Sequence, residues 1–330
     1  MGRGTTLIEA ALLGRIPAGN DANPLSPLLV APRLDPPLLD DIASRLASIK
    51  WTFEGEIPSD LLVFYHEKTL RELCALRAHL ARASPDKTDT WIRMVAVNRL
   101  TGHSPGFFSV YTLPPNQAVS VASQRRINQQ RSQVPSYRDV ASLILKKSRQ
   151  LLADVDATCR SVLASVSKGS VLTVSPSRAV PAMPDASVSL VVTSPPFLDT
   201  VDYRTDNWLR CWFAGIDMKS VTLATGPKLD QWASEMTGTL REVHRILQPG
   251  GHVAFEVGEI RRGKIRLEKH VLDAGQNAGL EPVLVLINAQ RFTKTANCWG
   301  VANNQLGTNT NRIVLFKKPA ARHRAARQSA

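Results

Sequence analysis

Apolar residues recur along the chain in two rhythms, and the points where one gives way to the other mark its predicted elements. Leu7, Ala10, Ala11 and Leu12 share one side of a helix that opens directly from Gly2-Arg-Gly-Thr-Thr. Ile16 to Asn20 reads as a short strand ending at Asp21, where Ala22-Asn23-Pro24 signals a turn. Two proline-rich pieces, Asn23 to Pro27 and Pro32 to Pro37, precede a helix predicted over Leu38 to Ile49. A further helix is predicted over Glu67 to Arg82, with Leu70, Leu73, Leu76 and Leu80 at helical spacing and Ser84-Pro85 as its stop. From Thr101 to Tyr137, Gly, Ser, Pro, Gln and Asn interleave with Phe107, Phe108, Tyr111 and Tyr137, and the segment reads as loop-rich.

Periodicity returns over Asp139 to Ala164, read as one helix. Val171 to Val174 and Val188 to Val192 are predicted parallel strands, and Trp232 to Leu247 a helix with Met236, Leu240, Val243 and Leu247 on one face. Gln248-Pro-Gly-Gly251 stops that helix, and His252 to Val257 is the next strand. A helix near Leu267 to Ala278 and strands over Pro282 to Ala289 and Ile313 to Phe316 follow. Strand and helix therefore alternate at both ends of the chain, which predicts an α/β fold with a largely parallel sheet, helices on both faces, split by an inserted segment. The chain has 330 residues, enough for about two structural units at roughly 150 residues each. The expected organisation is 1–50, 51–150 as the insertion, 151–318, and a mobile basic tail over 319–330.

Charge changes this picture. Lys and Arg total 41 against 28 Asp and Glu, a formal +13, which favours a polyanionic partner such as nucleic acid. Between Trp91 and Gln150 nine cations face a single acid, Asp139, so most of the imbalance sits in the insertion; a solvated face is the other reading of such a run. Apolar runs such as Val283 to Ile287 are far shorter than the roughly 18 residues of a membrane span, and the first residues lack a signal-peptide pattern. A cytoplasmic protein with no membrane partner is expected. Cys74, Cys159, Cys211 and Cys298 show no paired spacing, which argues for neither a metal site nor a disulfide framework.

Two constellations carry candidate chemistry. Gly2 and Gly4 open a helix, where backbone amides can approach a ligand closely, and Asp21 ends the next strand, where an acid can take ribose hydroxyls; Asp21 could equally start a turn. The sharper one is Thr193-Ser194-Pro195-Pro196-Phe197, at the carboxyl end of a predicted strand. Two prolines fix the backbone and remove amide donors, leaving carbonyl oxygens to accept. The Ser194 hydroxyl and the Pro195 carbonyl suit an exocyclic amino group, and the ring of Phe197 suits the base that bears it; a rigid strand-to-loop turn is the alternative.

With these residues the chain resembles the amino-group DNA methyltransferases, which use S-adenosyl-L-methionine to modify cytosine N4 or adenine N6. Met1-Gly-Arg-Gly-Thr-Thr6 matches the second half of the family's Asp-Pro-Phe-x-Gly-x-Gly-Thr-Thr loop. The resemblance makes Gly2, Gly4 and Thr5 cofactor contacts, puts the ribose acid on Asp21, and puts the catalytic motif on Ser194, Pro195, Pro196 and Phe197. Leu240 to Gly251 resembles the helix and turn before the family's fifth strand, and Asn311 to Lys317 its closing strand, so the likeness covers 1–28 and about 160–318. It implies a Rossmann-like methyltransferase sheet, DNA as substrate, Arg125, Arg126 and Arg131 of the insertion as DNA contacts, and room for a companion restriction endonuclease. Serine in the first motif position is more typical of cytosine-N4 enzymes; adenine N6 remains the alternative within the class. Carbon-5 methylation is disfavoured, because no cysteine here follows a proline. The sequence begins inside the glycine loop, without the family's first strand, and carries Ser175-Pro-Ser-Arg178 where the family often has an acid. A truncated, inactive DNA-binding remnant is therefore the competing expectation.

Overall fold

The computed structural model describes residues 1–81, 84–112, 119–196, 203–217, 228–260, 265–289 and 310–320. The chain is α/β and divides into two compact units, Met1–Val174 with Asp202–Leu223, and Ser175–Val201 with Ala224–Ala330.

The first unit runs α1 (Thr5–Leu12), β1 (Ala18–Asp21), α2 (Leu25–Leu34), α3 (Leu39–Ser48), a 3-10 turn (Ser59–Val63), α4 (Glu67–Leu80), α5 (Lys87–Val97), α6 (Val121–Gln130), α7 (Val140–Leu152), α8 (Ala157–Ser167) and β2 (Val171–Val174), with α9 (Tyr203–Ala214) joining from later in the chain. β1 and β2 pair in parallel, Ala18 opposite Val171 and Asp21 opposite Val174. The expected leucine stripe of α4 is buried at Leu70, Leu73, Leu76 and Leu80. Burial of each such side chain stabilises the fold by roughly 1.5–3 kcal/mol.

Four readings change here. The proline-rich pieces contain α2, with Leu25, Leu29, Val30 and Leu34 buried. Pro27 falls in its first turn, where an amide has no intrahelical acceptor, so only Pro32 interrupts the hydrogen-bond ladder. The single helix over 139–164 is two, because the Asp156 carboxylate accepts from the Cys159 amide at 2.7 Å and caps a fresh start at α8. The loop-rich stretch holds α6, capped by Ser120, and Leu12 of α1 faces solvent rather than the core. Ile42 and Leu46 of α3, Leu73 of α4, Ile92 of α5 and Ile144 of α7 share one core.

The second unit contains β3 (Val188–Thr193), α10 (Leu229–Ile246), β4 (Leu247–Val257), the short β5 (Glu259–Ile260) and β6 (Ile265–Arg266), α11 (Leu267–Asn277), β7 (Glu281–Ala289) and β8 (Thr310–Lys317). Its four-stranded sheet has the order β3-β4-β8-β7. β3 runs parallel to β4 as expected, but β8 pairs antiparallel with both β4 and β7. The strand-helix alternation that predicts parallel pairing stops after α11, and antiparallel neighbours need no crossover helix. Val253, Phe255, Val314 and Phe316 face α10 and α11. The contact is close: a Cβ on Gly275 of α11 would lie 2.3 Å from the Phe316 ring. On the sheet's other side Leu190, Val192, Leu284 and Leu286 are exposed. Among the described residues no helix is long and apolar enough to cross a membrane, and residues 321–330 of the expected tail lie outside them.

Candidate active site

The N-terminal loop is built on glycine. Gly2 and Gly4 both adopt left-handed φ, +56° and +86°, and a Cβ on Gly4 would meet Val30 Cγ2 at 2.3 Å. Gly4 caps α1 without a side chain, so the amides of Thr5, Thr6 and Leu7 in the first turn lack intrahelical acceptors; Thr5 itself is exposed. β1 delivers Asp21 to this loop. The Gly2 amide donates to Asp21 Oδ2 at 2.6 Å, the Ser26 hydroxyl donates to the same oxygen at 2.8 Å, and the Asn23 amide donates to Oδ1 at 2.9 Å. The Met1 ammonium lies 3.4 Å from Oδ2. The structure thus joins Gly2 and Asp21 as the sequence suggests, and adds Ser26, which a proline-rich piece gives no reason to single out.

These contacts test the fit of a ribose-bearing cofactor. Oδ2 already takes two hydrogen bonds and Oδ1 one, so a carboxylate with about four lone-pair positions keeps one open on Oδ1. The loop fits a ligand that needs close backbone approach, and Asp21 can accept from one hydroxyl while holding the loop closed.

The diproline corner is organised differently. β3 ends at Thr193, and the Ser194 that follows is exposed, with a hydroxyl that forms no hydrogen bond among the described residues. Pro195 is half-buried. The Trp232 indole N–H donates to the Pro196 carbonyl at 3.1 Å. Trp232 is 8% exposed, in the first turn of α10. Its apolar stripe reads from sequence only as core, and nothing there signals the donor's partner. Phe197 lies outside the described residues. Among the described residues, the corner therefore presents an open hydroxyl on a backbone fixed by two rings and tied by the Trp232 indole.

Arg125, Arg126 and Arg131 lie on α6 and at its C-cap, and all three are exposed. They differ in availability. Arg125 pairs with Asp60 at 3.2 Å, Arg126 donates to the Ser123 hydroxyl, and the Arg131 guanidinium stacks over the Tyr111 ring at 3.8 Å. Burial pushes the Cys211 thiol up to about 11 and also raises that of Cys74, which leaves both poorly suited to act as thiolates. Among the described residues no three His, Cys, Asp or Glu side chains converge to hold a metal. A cavity of about 670 Å³ in the first unit, walled by Phe53, Arg77, Arg93 and Trp212, includes none of these candidate residues.

No protein-family model matches the chain, and no curated protein does. Solved structures do resemble it. A candidate DNA modification methylase of Thermus thermophilus, solved with S-adenosyl-L-methionine, is 24% identical, with a TM-score of 0.28 over 44% of this chain and 54% of that one. The 16S rRNA (adenine(1408)-N(1))-methyltransferase of Catenulisporales acidiphilia is 16% identical, with a TM-score of 0.28 over 50% of this chain and 73% of that one. An S-adenosylmethionine-dependent methyltransferase of Methanosarcina mazei is 10% identical, with a TM-score of 0.27 over 51% and 80%. The chain spans about half the length of the Thermus methylase structures.

Proposed function

We propose that this chain is, or forms part of, an S-adenosyl-L-methionine-dependent DNA methyltransferase acting on an exocyclic amino group, cytosine N4 in the first instance. The observation that carries the reading is the Ser194 hydroxyl: exposed, without a partner among the described residues, at the carboxyl end of a parallel strand, on a backbone fixed by Pro195 and Pro196 and tied by Trp232. In a nucleobase the amino nitrogen's lone pair is delocalised into the ring. Hydrogen bonds from that NH₂ to Ser194 Oγ and the Pro195 carbonyl localise it and strengthen as the nitrogen gains positive charge. The cofactor, when bound, supplies an electrophilic methyl group; the residues that hold it are Gly2, Gly4, Thr5 and Asp21. The target base has to leave the duplex stack to reach such a corner, and a basic surface has to hold the deformed backbone.

Mass spectrometry of nucleosides from DNA incubated with the chain and isotope-labelled cofactor tests the reading. Label in N4-methylcytosine is expected; label in N6-methyladenine selects the alternative target. An inactive DNA-binding chain is the competing reading, favoured by the three internal hydrogen bonds that already occupy Asp21. It prevails if titration detects no cofactor binding while DNA binding persists.

A further inference from the structure

Four cations of the first unit stand together without an acid among the described residues. Arg3 belongs to the N-terminal loop, Arg33 to the last turn of α2, Arg99 to the turn after α5 and Lys147 to α7; α2 packs on α5 and α5 on α7, which gathers them. The Arg33 guanidinium donates to the Arg3 carbonyl at 3.3 Å. Arg99 is held over the Phe107 ring at 4.2 Å and by the Asn98 carbonyl at 3.1 Å. Arg3 lies within Coulombic reach of Arg33 and Arg99, and each of those two within reach of Lys147. No carboxylate forms an ion pair with any of them among the described residues. By contrast Arg45 and Arg125 each have an aspartate.

Arg33, Arg99 and Lys147 are half-buried and Arg3 is exposed; like charges gathered at such a place cost free energy unless an anion offsets them. Burial first, and neighbouring cations second, lower the pKa values of Arg33, Arg99 and Lys147, which records that cost. The cofactor named above does not offset it, because its sulfonium and ammonium outweigh its carboxylate. A phosphate does: it is fully charged and offers several acceptor oxygens to forked donors.

We infer that Arg3, Arg33, Arg99 and Lys147 form a phosphate site that takes a backbone phosphodiester of the DNA substrate. This rests on the methyltransferase reading for its ligand. The charge run along the sequence points instead to the adjacent pair Arg125-Arg126, because four cations spread from position 3 to position 147 meet only in the fold.

Lys147→Glu tests the site, with Lys146→Glu, on the exposed neighbouring position, as the control for bulk charge. Lys147→Glu places an acid among the remaining three cations. The expected result is a paired one: the melting temperature of Lys147→Glu rises, its affinity for duplex DNA falls, and the slope of log affinity against log salt decreases by about one relative to Lys146→Glu. Inorganic phosphate raises the melting temperature of the parent and not that of Lys147→Glu. Equal DNA slopes for the two variants overturn the site, since a diffuse field then explains binding. A fall in both stability and affinity also overturns it, because Lys147 would then be structural. If the parent binds no DNA yet phosphate protects it alone, the site stands and the methyltransferase reading of its ligand fails.

Discussion

Asp21 and Ser194 both stand at the carboxyl end of a parallel strand, but the fold treats them in opposite ways. Asp21 is bonded to Gly2, Asn23 and Ser26, and so closes the loop that carries the left-handed glycines. Ser194 is bonded to nothing described; its support comes through the next carbonyl but one, where Trp232 holds Pro196. A polar group spent on the fold contributes stability, whereas a polar group left open on a rigid backbone contributes chemistry. The comparison separates two kinds of residue that the sequence presents as one kind of motif.

Ser194→Ala breaks the comparison most sharply. Removing one hydrogen-bonding group from a reacting centre lowers turnover on the order of a hundredfold, about 2.7 kcal/mol of barrier. Cofactor affinity and the melting temperature are expected to stay at parental values, because the hydroxyl has no partner among the described residues. A drop in turnover accompanied by an equal drop in cofactor affinity would remove Ser194 from its role.

Asp21→Ala should do the reverse. Three internal hydrogen bonds are lost, and the Gly2 amide loses its acceptor, so a destabilisation of about 2 kcal/mol is expected, with weaker cofactor binding and a smaller change in the rate of methyl transfer at saturation. Chemical denaturation and isothermal titration read the two effects separately. A variant that keeps parental stability would show that the loop closes without the acid.

Trp232→Phe is milder. It keeps an aromatic ring but deletes the indole N–H to the Pro196 carbonyl, at a cost of about 1 kcal/mol for the hydrogen bond, and the lost half of the bicyclic ring adds a cavity cost. Acting only through the backbone beside Ser194, it should lower kcat by about tenfold or less with little change in KM. A purely structural tryptophan would move the melting temperature and leave kcat alone.

The unequal legibility of the two regions has physical causes. Strands such as Val171–Val174 and the leucine stripe of α4 are readable because their apolar period is short and uninterrupted. α2 escapes because proline weighs heavily against a helix in any local reading, although Pro27 sits where a missing amide costs nothing. The glycine loop, Asp21 and the Ser-Pro-Pro corner are legible as residue types with a known geometric use. What is not legible is the partner of each: Ser26 for Asp21, Trp232 for Pro196, Asp60 for Arg125. Hydrogen-bond partners 36 or 65 positions apart leave no periodic trace, and the antiparallel placement of β8 likewise depends on pairing that no single segment encodes.

The smallest expected effect concerns the support of the corner rather than the corner itself. The chain enters β3 through a segment clamped by the two ion pairs of Arg245, to Glu242 and Asp185. Glu242 Oε1 accepts from the Val180 amide at 2.7 Å and from Arg245 Nη2 at 2.6 Å, and Arg245 also donates to the Val180 and Met183 carbonyls and to Asp185. The Arg245 hydrogen bond chiefly, then the Val180 amide, hold Glu242 below its ordinary value of 4.5 against the opposing effect of burial. A carboxylate depressed in the folded state contributes stability that is fully present above its unfolded value and is lost as pH falls through the folded one. The denaturation midpoint of the second unit should therefore decline progressively below pH 4.5, while Glu242→Gln, which cannot ionise, should start lower at neutral pH and lack that part of the acid slope. Urea titrations of both proteins across pH 3 to 7, followed by the fluorescence of tryptophans that include Trp232, measure it. An acid slope that persists in full in Glu242→Gln would assign the loss to other carboxylates, and would leave Trp232 as the corner's principal anchor.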